Sequence, residues 1–148
     1  MGNSGIGVPL PELAAYCREA AAEGAVLLKN EGHMLPVKKD ETVSIFGRSQ
    51  IEYYRSGTGS GGAVNVPYVK NILDGIKENN VFPVNEELVE IYKEWLKEHP
   101  FDNGGGGWAA EPWHQAEMEI TDEIARRAAE KSEKAIFLIG RTAGEDKD

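Results

Sequence analysis

The sequence predicts an α/β fold, a mainly parallel sheet flanked by helices in a three-layer α/β sandwich that is incomplete in this chain. Three observations carry that expectation. The runs TVSIF (42–46) and AIFLI (135–139) are short, β-branched or aromatic, and continuous rather than alternating, as strands covered on both faces require. Segments with apolar residues at three- and four-residue spacing lie between them, the period of amphipathic helices. Both runs stop at a glycine followed by an arginine, Gly47-Arg48 and Gly140-Arg141.

Taken in order, residues 1–9 form a small polar tail without the basic start and apolar core of a secretion signal, which favours a cytoplasmic protein. Residues 10–148 form the domain. A helix is expected over 10–29, with Leu13, Tyr16, Cys17, Ala20, Ala21, Gly24, Leu27 and Leu28 on one stripe, Pro11 in its first turn and Gly32 as C-cap. The strand 42–46 follows, then a glycine-rich loop at 56–62. A helix over 66–79 presents Val69, Ile72, Leu73 and Ile76, and a short strand is expected at 81–84. A helix over 86–98 turns Leu88, Ile91, Tyr92, Trp95 and Leu96 inward. Residues 99–114, with four consecutive glycines, two prolines and two tryptophans, suit neither helix nor central strand. So long a connection is usually functional or mobile. A helix over 115–133, with Ile120, Ile124, Ala125, Ala128 and Ala129 as its stripe, leads to the strand 135–139. An α/β domain normally sends a helix back across its last strand, and too few residues follow Gly140 to do so. The sheet is therefore expected to be truncated.

Composition removes several classes of function. Of 148 residues, 16 are Lys or Arg and 25 are Asp or Glu, a formal net charge of −9. That balance disfavours sequence-independent binding to nucleic acid or to an anionic membrane surface. No apolar run approaches the roughly 20 residues of a membrane span. The single cysteine, Cys17, forms no intrachain disulfide, and on an apolar stripe it suits a core better than a nucleophile. His33, His99 and His114 have no metal-ligand spacing, so neither a metal site nor a cofactor is expected.

In open α/β sheets, sites lie beyond the carboxyl ends of the strands, which places Arg48 and Arg141 at the functional edge. Both also suit ion pairs that cap strands. Gly57, Gly59 and Gly62 spell G-x-G-x-x-G, but they come about nine residues after Gly47, too late for the phosphate turn of a dinucleotide site, and no Lys-Ser or Lys-Thr follows to make a P-loop. A flexible loop, or one that lets a polar ligand or chain segment come close, fits as well. Trp108 and Trp113 offer faces on which sugars stack, or plugs that fasten the loop to the core. Glu145, beyond the last strand, is placed as a general acid would be, or as one member of a solvated acidic turn.

Four segments together resemble a known family. Glu23-Gly24-Ala25-Val26-Leu27-Leu28-Lys29-Asn30 followed by Leu35-Pro36 resembles the EGxVLLKNxxxxLPL signature of family 3 glycoside hydrolases. Val43 to Gly47 is similar to the family's VAVFG strand, residues 56–62 to its glycine-serine loop, and Gly144-Glu145-Asp146-Lys147-Asp148 to its GExxDR segment, whose arginine would follow Asp148. The segments keep the family's order and span nearly the whole chain. The resemblance implies a retaining β-glycosidase of β-glucosidase type. Its nucleophilic aspartate sits in a TIM barrel absent from these residues, and its acid/base glutamate sits in the α/β sandwich. Matching the motifs puts Glu145 at the acid/base position and Gly59, Ser60 and Gly61 along the aglycone side of the pocket. Arg141 joins the substrate-binding candidates through its place at the sheet's edge. A sandwich that begins the chain is similar to members with permuted domain order, the barrel following in the same full-length chain. The implied partners are a β-linked oligosaccharide or glucoside and that barrel, with neither nucleic acid nor membrane. The fragment alone is expected to be inactive. A nucleotide-binding α/β domain and a non-catalytic carbohydrate-binding module are the alternatives.

Overall fold

The structure, a computed structural model, describes residues 10–52, 68–142 and 144. The chain divides into two compact units, residues 1–37 with 65–67 and residues 38–64 with 68–148.

In the first unit, helix α1 spans Pro11–Glu23, with proline in its first turn where the missing N–H is harmless. It ends earlier than residue 29. Gly24, whose backbone freedom disfavours helix by about 1 kcal/mol relative to alanine, closes it with an N–H to Ala20 O bond of 2.9 Å. No residue of α1 is buried, and among the described residues the unit has no second long element to cover the stripe. Cys17 is accordingly an exposed thiol and not a core residue. Gly32 does adopt a left-handed φ of +68°, but inside the short 3-10 turn Glu31–His33 and not at the end of the helix. The Asn30 side chain closes the following loop on both sides of Leu35. It donates to Leu35 O and accepts from Leu35 N, each at 2.9 Å.

The second unit contains the sheet. Strand β1, Val43–Phe46, is buried at every residue and pairs in parallel with β2, Lys134–Phe137, so that Phe46 lies opposite Phe137. Their rings stack with centroids 4.8 Å apart. The expected strand at 81–84 shrinks to one parallel bridge, Val43 to Val84. Pro83, which has no N–H to give a ladder, contributes its carbonyl to Val43 N at 2.9 Å. β2 also differs from expectation. It ends at Phe137 rather than residue 139, and its burial alternates, with Phe137 62% and Ile139 94% exposed. Among the described residues β2 pairs with β1 alone, so the side chains of one of its faces stay uncovered.

Among the described residues three α-helices complete the unit. α2, Ile72–Glu78, starts six residues later than the stripe suggests. Asn71 accepts from Asp74 N at 2.7 Å, and the Asp74 carboxylate accepts from Asn71 N at 3.3 Å, a reciprocal cap that fixes the first turn. α3, Glu86–Glu98, has the expected bounds, capped by Asn85, and buries Leu88, Val89, Tyr92 and Leu96. α4 covers Asp122–Lys131 rather than 115–133. Thr121 caps it, its hydroxyl accepting from Ile124 N at 3.3 Å, and two acids occupy the first turn. Residues 115–121 are committed to tertiary bonds instead of a helix. Phe46, Leu88, Tyr92, Met118 and Ala128 form the core between β1 and helices α3 and α4. Ser44 knits the same layers, its hydroxyl accepting from Asn85 Nδ2 at 3.0 Å and from the Ser132 hydroxyl at 2.8 Å.

Candidate active site

Because β1 and β2 run in parallel and in register, their carboxyl ends leave the sheet side by side. Leu138 N donates to Phe46 O at 2.9 Å, and Gly47 lies against the Leu138 carbonyl. Gly47 turns the chain with φ of +101° and donates its N–H to the buried Tyr92 hydroxyl at 2.8 Å. Burial pushes the Tyr92 phenol above its ordinary pKa, the Gly47 bond pulls it back, and the Glu117 carboxylate adds to the rise. The phenol is therefore neutral at physiological pH. Phenylalanine at position 92 would leave the Gly47 N–H buried and unpaired. We expect a loss of about 1–3 kcal/mol, read as faster hydrogen exchange at the Gly47 amide in the full-length protein.

Arg48 is not a surface cap. It is 1% exposed and works as a hub. Its guanidinium donates to Ala116 O at 2.7 Å, to His99 O at 2.9 Å and to the Glu52 carboxylate, while its backbone N–H donates to Glu117 Oε2 at 2.9 Å. It also lies 5.5 Å above the Trp95 ring, which stacks on His99. The two carbonyls stand at the two ends of the long loop, so one side chain closes its neck. Gln115 adds a second clasp, accepting from Asp102 N at 2.7 Å and donating to Asp102 O at 2.8 Å. The glycine tip is held by Asp102 and Asn103 side chains, and Gly104, at φ +63°, packs directly against Ala110 O. Four buried side-chain atoms have no hydrogen-bond partner among the described residues: Arg48 Nε, Ser49 Oγ, Gln50 Oε1 and Glu111 Oε2. Three of them follow directly on β1.

The loop reaches the segment leaving β2. Thr142, 4% exposed, donates its N–H to Trp113 O at 2.9 Å and its hydroxyl to Pro112 O at 2.7 Å. The Arg141 guanidinium lies 6.0 Å over the Trp113 ring. Arg141 is thus exposed at the edge, as its position after the strand requires, whereas Arg48 serves the scaffold. Trp108 (64% exposed) and Trp113 (41%) face solvent and are not plugs in the core. Sequence reasoning missed Thr142; its signal is a buried hydroxyl beside a strand end, which no spacing rule reveals. Glu145, Gly59, Ser60 and Gly61 lie outside the described residues. Among the described residues no cluster of His, Cys, Asp and Glu could hold a metal ion, and no helix is long and apolar enough to cross a membrane. A groove of about 280 Å³, lined by residues such as Phe46, Ile120, Ala125 and Phe137, opens along α4 and β2 and is mainly apolar.

Residues 25–148 match the model of the glycosyl hydrolase family 3 C-terminal domain. The chain belongs to glycosyl hydrolase family 3. Over 130 residues it is 52% identical to a β-glucosidase of Ruminococcus albus, covering 88% of this chain and 13% of that protein. It is 33% identical to β-glucosidase A of Butyrivibrio fibrisolvens, covering 88% and 15%. The crystal structure of a β-glucosidase from Paenibacillus barengoltzii superposes with a TM-score of 0.92 at 66% identity, covering 99% of this chain and 16% of that one. β-Glucosidase 3B of Thermotoga neapolitana, solved with α-D-glucose, superposes with a TM-score of 0.76 at 32% identity, covering 94% and 19%. The chain therefore spans less than a fifth of the length of each of these relatives. Within this family 3 domain, the Asn30 clasp on Leu35 gives a physical reason for the KNxxxxLP spacing: the amide bridges both backbone groups of the residue before the proline.

Proposed function

We propose that this domain supplies the acid/base glutamate of a retaining β-glycosidase of β-glucosidase type, and that Glu145 is that residue. The observation that carries the proposal is the anchored exit from β2. Residues 141 and 142 are fixed at the carboxyl edge of the sheet, and the Gly-Glu of the family's GExxDR motif follows at 144 and 145. In a retaining enzyme two carboxyl groups stand about 5–5.5 Å apart across the glycosidic bond. One attacks the anomeric carbon; the other protonates the leaving oxygen and then takes a proton from water. Glu145 fills the second role, and an aspartate in the TIM barrel of the same full-length chain fills the first. The substrate is a β-linked oligosaccharide or glucoside. Gly59, Ser60 and Gly61 border its aglycone side, where glycine backbone allows close approach. Arg141, with fixed N–H donors on a guanidinium held over Trp113, meets substrate hydroxyls. A cytoplasmic location belongs to the same proposal, and the exposed thiol of Cys17 suits a reducing compartment.

The test is Glu145→Ala in the full-length protein. Turnover of a disaccharide should fall at least about 100-fold, within the range of lost acid/base catalysis. Azide should restore turnover of an activated aryl glucoside, forming the β-glycosyl azide. Disaccharide turnover within about threefold of the parent would overturn the assignment. The isolated 148-residue chain, without the nucleophile, should hydrolyse nothing; activity abolished there by Glu145→Gln would overturn the two-domain division.

A further inference from the structure

We propose that Thr142 is a positioning residue for Glu145, and that it acts through the long loop between α3 and α4. The inference rests on the acid/base assignment of Glu145 and adds what holds that residue's segment in place.

Thr142 lies three residues before Glu145 in the chain. It is 4% exposed, on a segment whose neighbours Ile139 and Arg141 are exposed, so its burial is a local choice and not a consequence of a covered strand. Both of its donors are spent on two adjacent residues. The N–H goes to Trp113 O at 2.9 Å and the hydroxyl to Pro112 O at 2.7 Å. Arg141, one residue earlier, rests over the Trp113 ring at 6.0 Å. Two consecutive residues are therefore held at three points by the dipeptide 112–113. Pro112 cannot rotate about φ, which stiffens the support.

That support is itself fixed. Residues 112–113 precede Gln115, which clasps Asp102 N and O, and Ala116, whose carbonyl is bound by the buried Arg48. Arg48 stands at the end of β1, so the chain of bonds runs from one strand end, through the loop neck, to the exit of the other. A proton donor must sit within hydrogen-bond reach of the glycosidic oxygen, and displacement by about 1 Å can cost on the order of 100-fold in rate. A β2 exit tied only by strand pairing would leave that distance to a segment outside the sheet. The Thr142 bonds fix the chain three positions before Glu145.

The experiment uses the full-length enzyme and a series of aryl and alkyl β-glucosides of graded leaving-group acidity. Thr142→Val keeps the volume and removes the bond to Pro112 O; Thr142→Ser keeps the hydroxyl. Thr142→Val should lower kcat/KM, which reports the first, acid-assisted step, about 10- to 100-fold for glucosides with poor leaving groups and less than about threefold for 2,4-dinitrophenyl glucoside, whose departure needs no acid. For the dinitrophenyl glucoside kcat and KM should fall together, because water's attack on the glycosyl-enzyme needs the same residue as base, and Thr142→Ser should stay within about threefold of the parent across the series. A partly unfolded enzyme would lose rate equally for every substrate, so the grading separates positioning from loss of fold. If Thr142→Val gives no folded enzyme, Gln115→Leu loosens the same loop at its neck and should show the same graded loss. A flat profile for the folded variant overturns the proposal. Glu145→Ala, run beside it, separates the two ideas. Graded loss there with a flat Thr142 profile removes only the positioning role. Flat loss for Glu145→Ala removes the acid/base assignment, and the positioning role with it.

Discussion

Methionine in place of Arg48 should destabilise this domain by about 3–5 kcal/mol, the range for breaking a buried ionic contact by removing one partner. Arg48 is 1% exposed and its guanidinium serves the carbonyls of Ala116 and His99 and the carboxylate of Glu52 at once. Methionine fills much of the volume but leaves all three acceptors unpaired, and hydrogen bonds to charged groups contribute about 1.5–3 kcal/mol each. The loss should be local first. Hydrogen exchange in the full-length protein should speed up across residues 99–117, the loop whose two ends Arg48 joins, and then across β1. Arg48→Lys should recover only part of the loss, because one ammonium cannot reach three acceptors arranged around a planar fork. Raising the salt concentration should change little, since the contacts are buried from screening ions. Exchange rates for Arg48→Met within about tenfold of the parent across 99–117 would show that the loop neck is held by Gln115 and packing instead.

The same residue shows how far the sequence could be read. Its place at the sheet's edge follows from a strand run ending in Gly-Arg. Its burial does not, because its main partners are backbone carbonyls 51 and 68 residues away, and carbonyls leave no trace in residue identity. Thr142 escaped for the same reason, since both of its acceptors are backbone oxygens. α3 was legible from end to end because a strong cap, Asn85, and a full 3.6-residue stripe agree. α4 was not. Its apolar stripe continues upstream through Ile120, yet Thr121 and two following acids mark the true start, and Gln115 and Glu117 are engaged by Asp102 and Arg48. α2 had an equally readable signal in Asn71 and Asp74. The sheet partner of Val43 at Val84 is one bridge because Pro83 stands beside it. The candidates Glu145, Gly59, Ser60 and Gly61 came from motif resemblance, and their assignment depends on the experiments above, not on the described geometry.

Gly47→Ala should be about as damaging as the loss of Arg48, for a different reason. Gly47 has φ of +101°, outside what L side chains adopt readily, and an alanine Cβ there would stand 2.2 Å from the Leu138 carbonyl oxygen. That oxygen belongs to backbone, so no side-chain rotation relieves the clash. The neighbouring chain must move, and it is the one leaving β2, whose Leu138 N–H bonds Phe46 O. Left-handed strain in a non-glycine residue costs about 1–2 kcal/mol. Separating two paired strand ends adds the buried Gly47 N–H to Tyr92 bond and the Leu138 bond, each about 0.5–1.5 kcal/mol net and more if a group is left unpaired. A total near 4 kcal/mol is expected, a size reserved for strain and broken buried networks. The readout separates this from a general loss of fold. Hydrogen exchange at Gly47 and Leu138 should accelerate more than at α3, whose caps and core contacts are untouched, and activity of the full-length enzyme should fall with the displaced β2 exit. If Gly47→Ala leaves exchange at Leu138 unchanged, the two strand ends do not pack as closely as the carbonyl contact requires, and the rigid edge invoked for Thr142 loses its foundation.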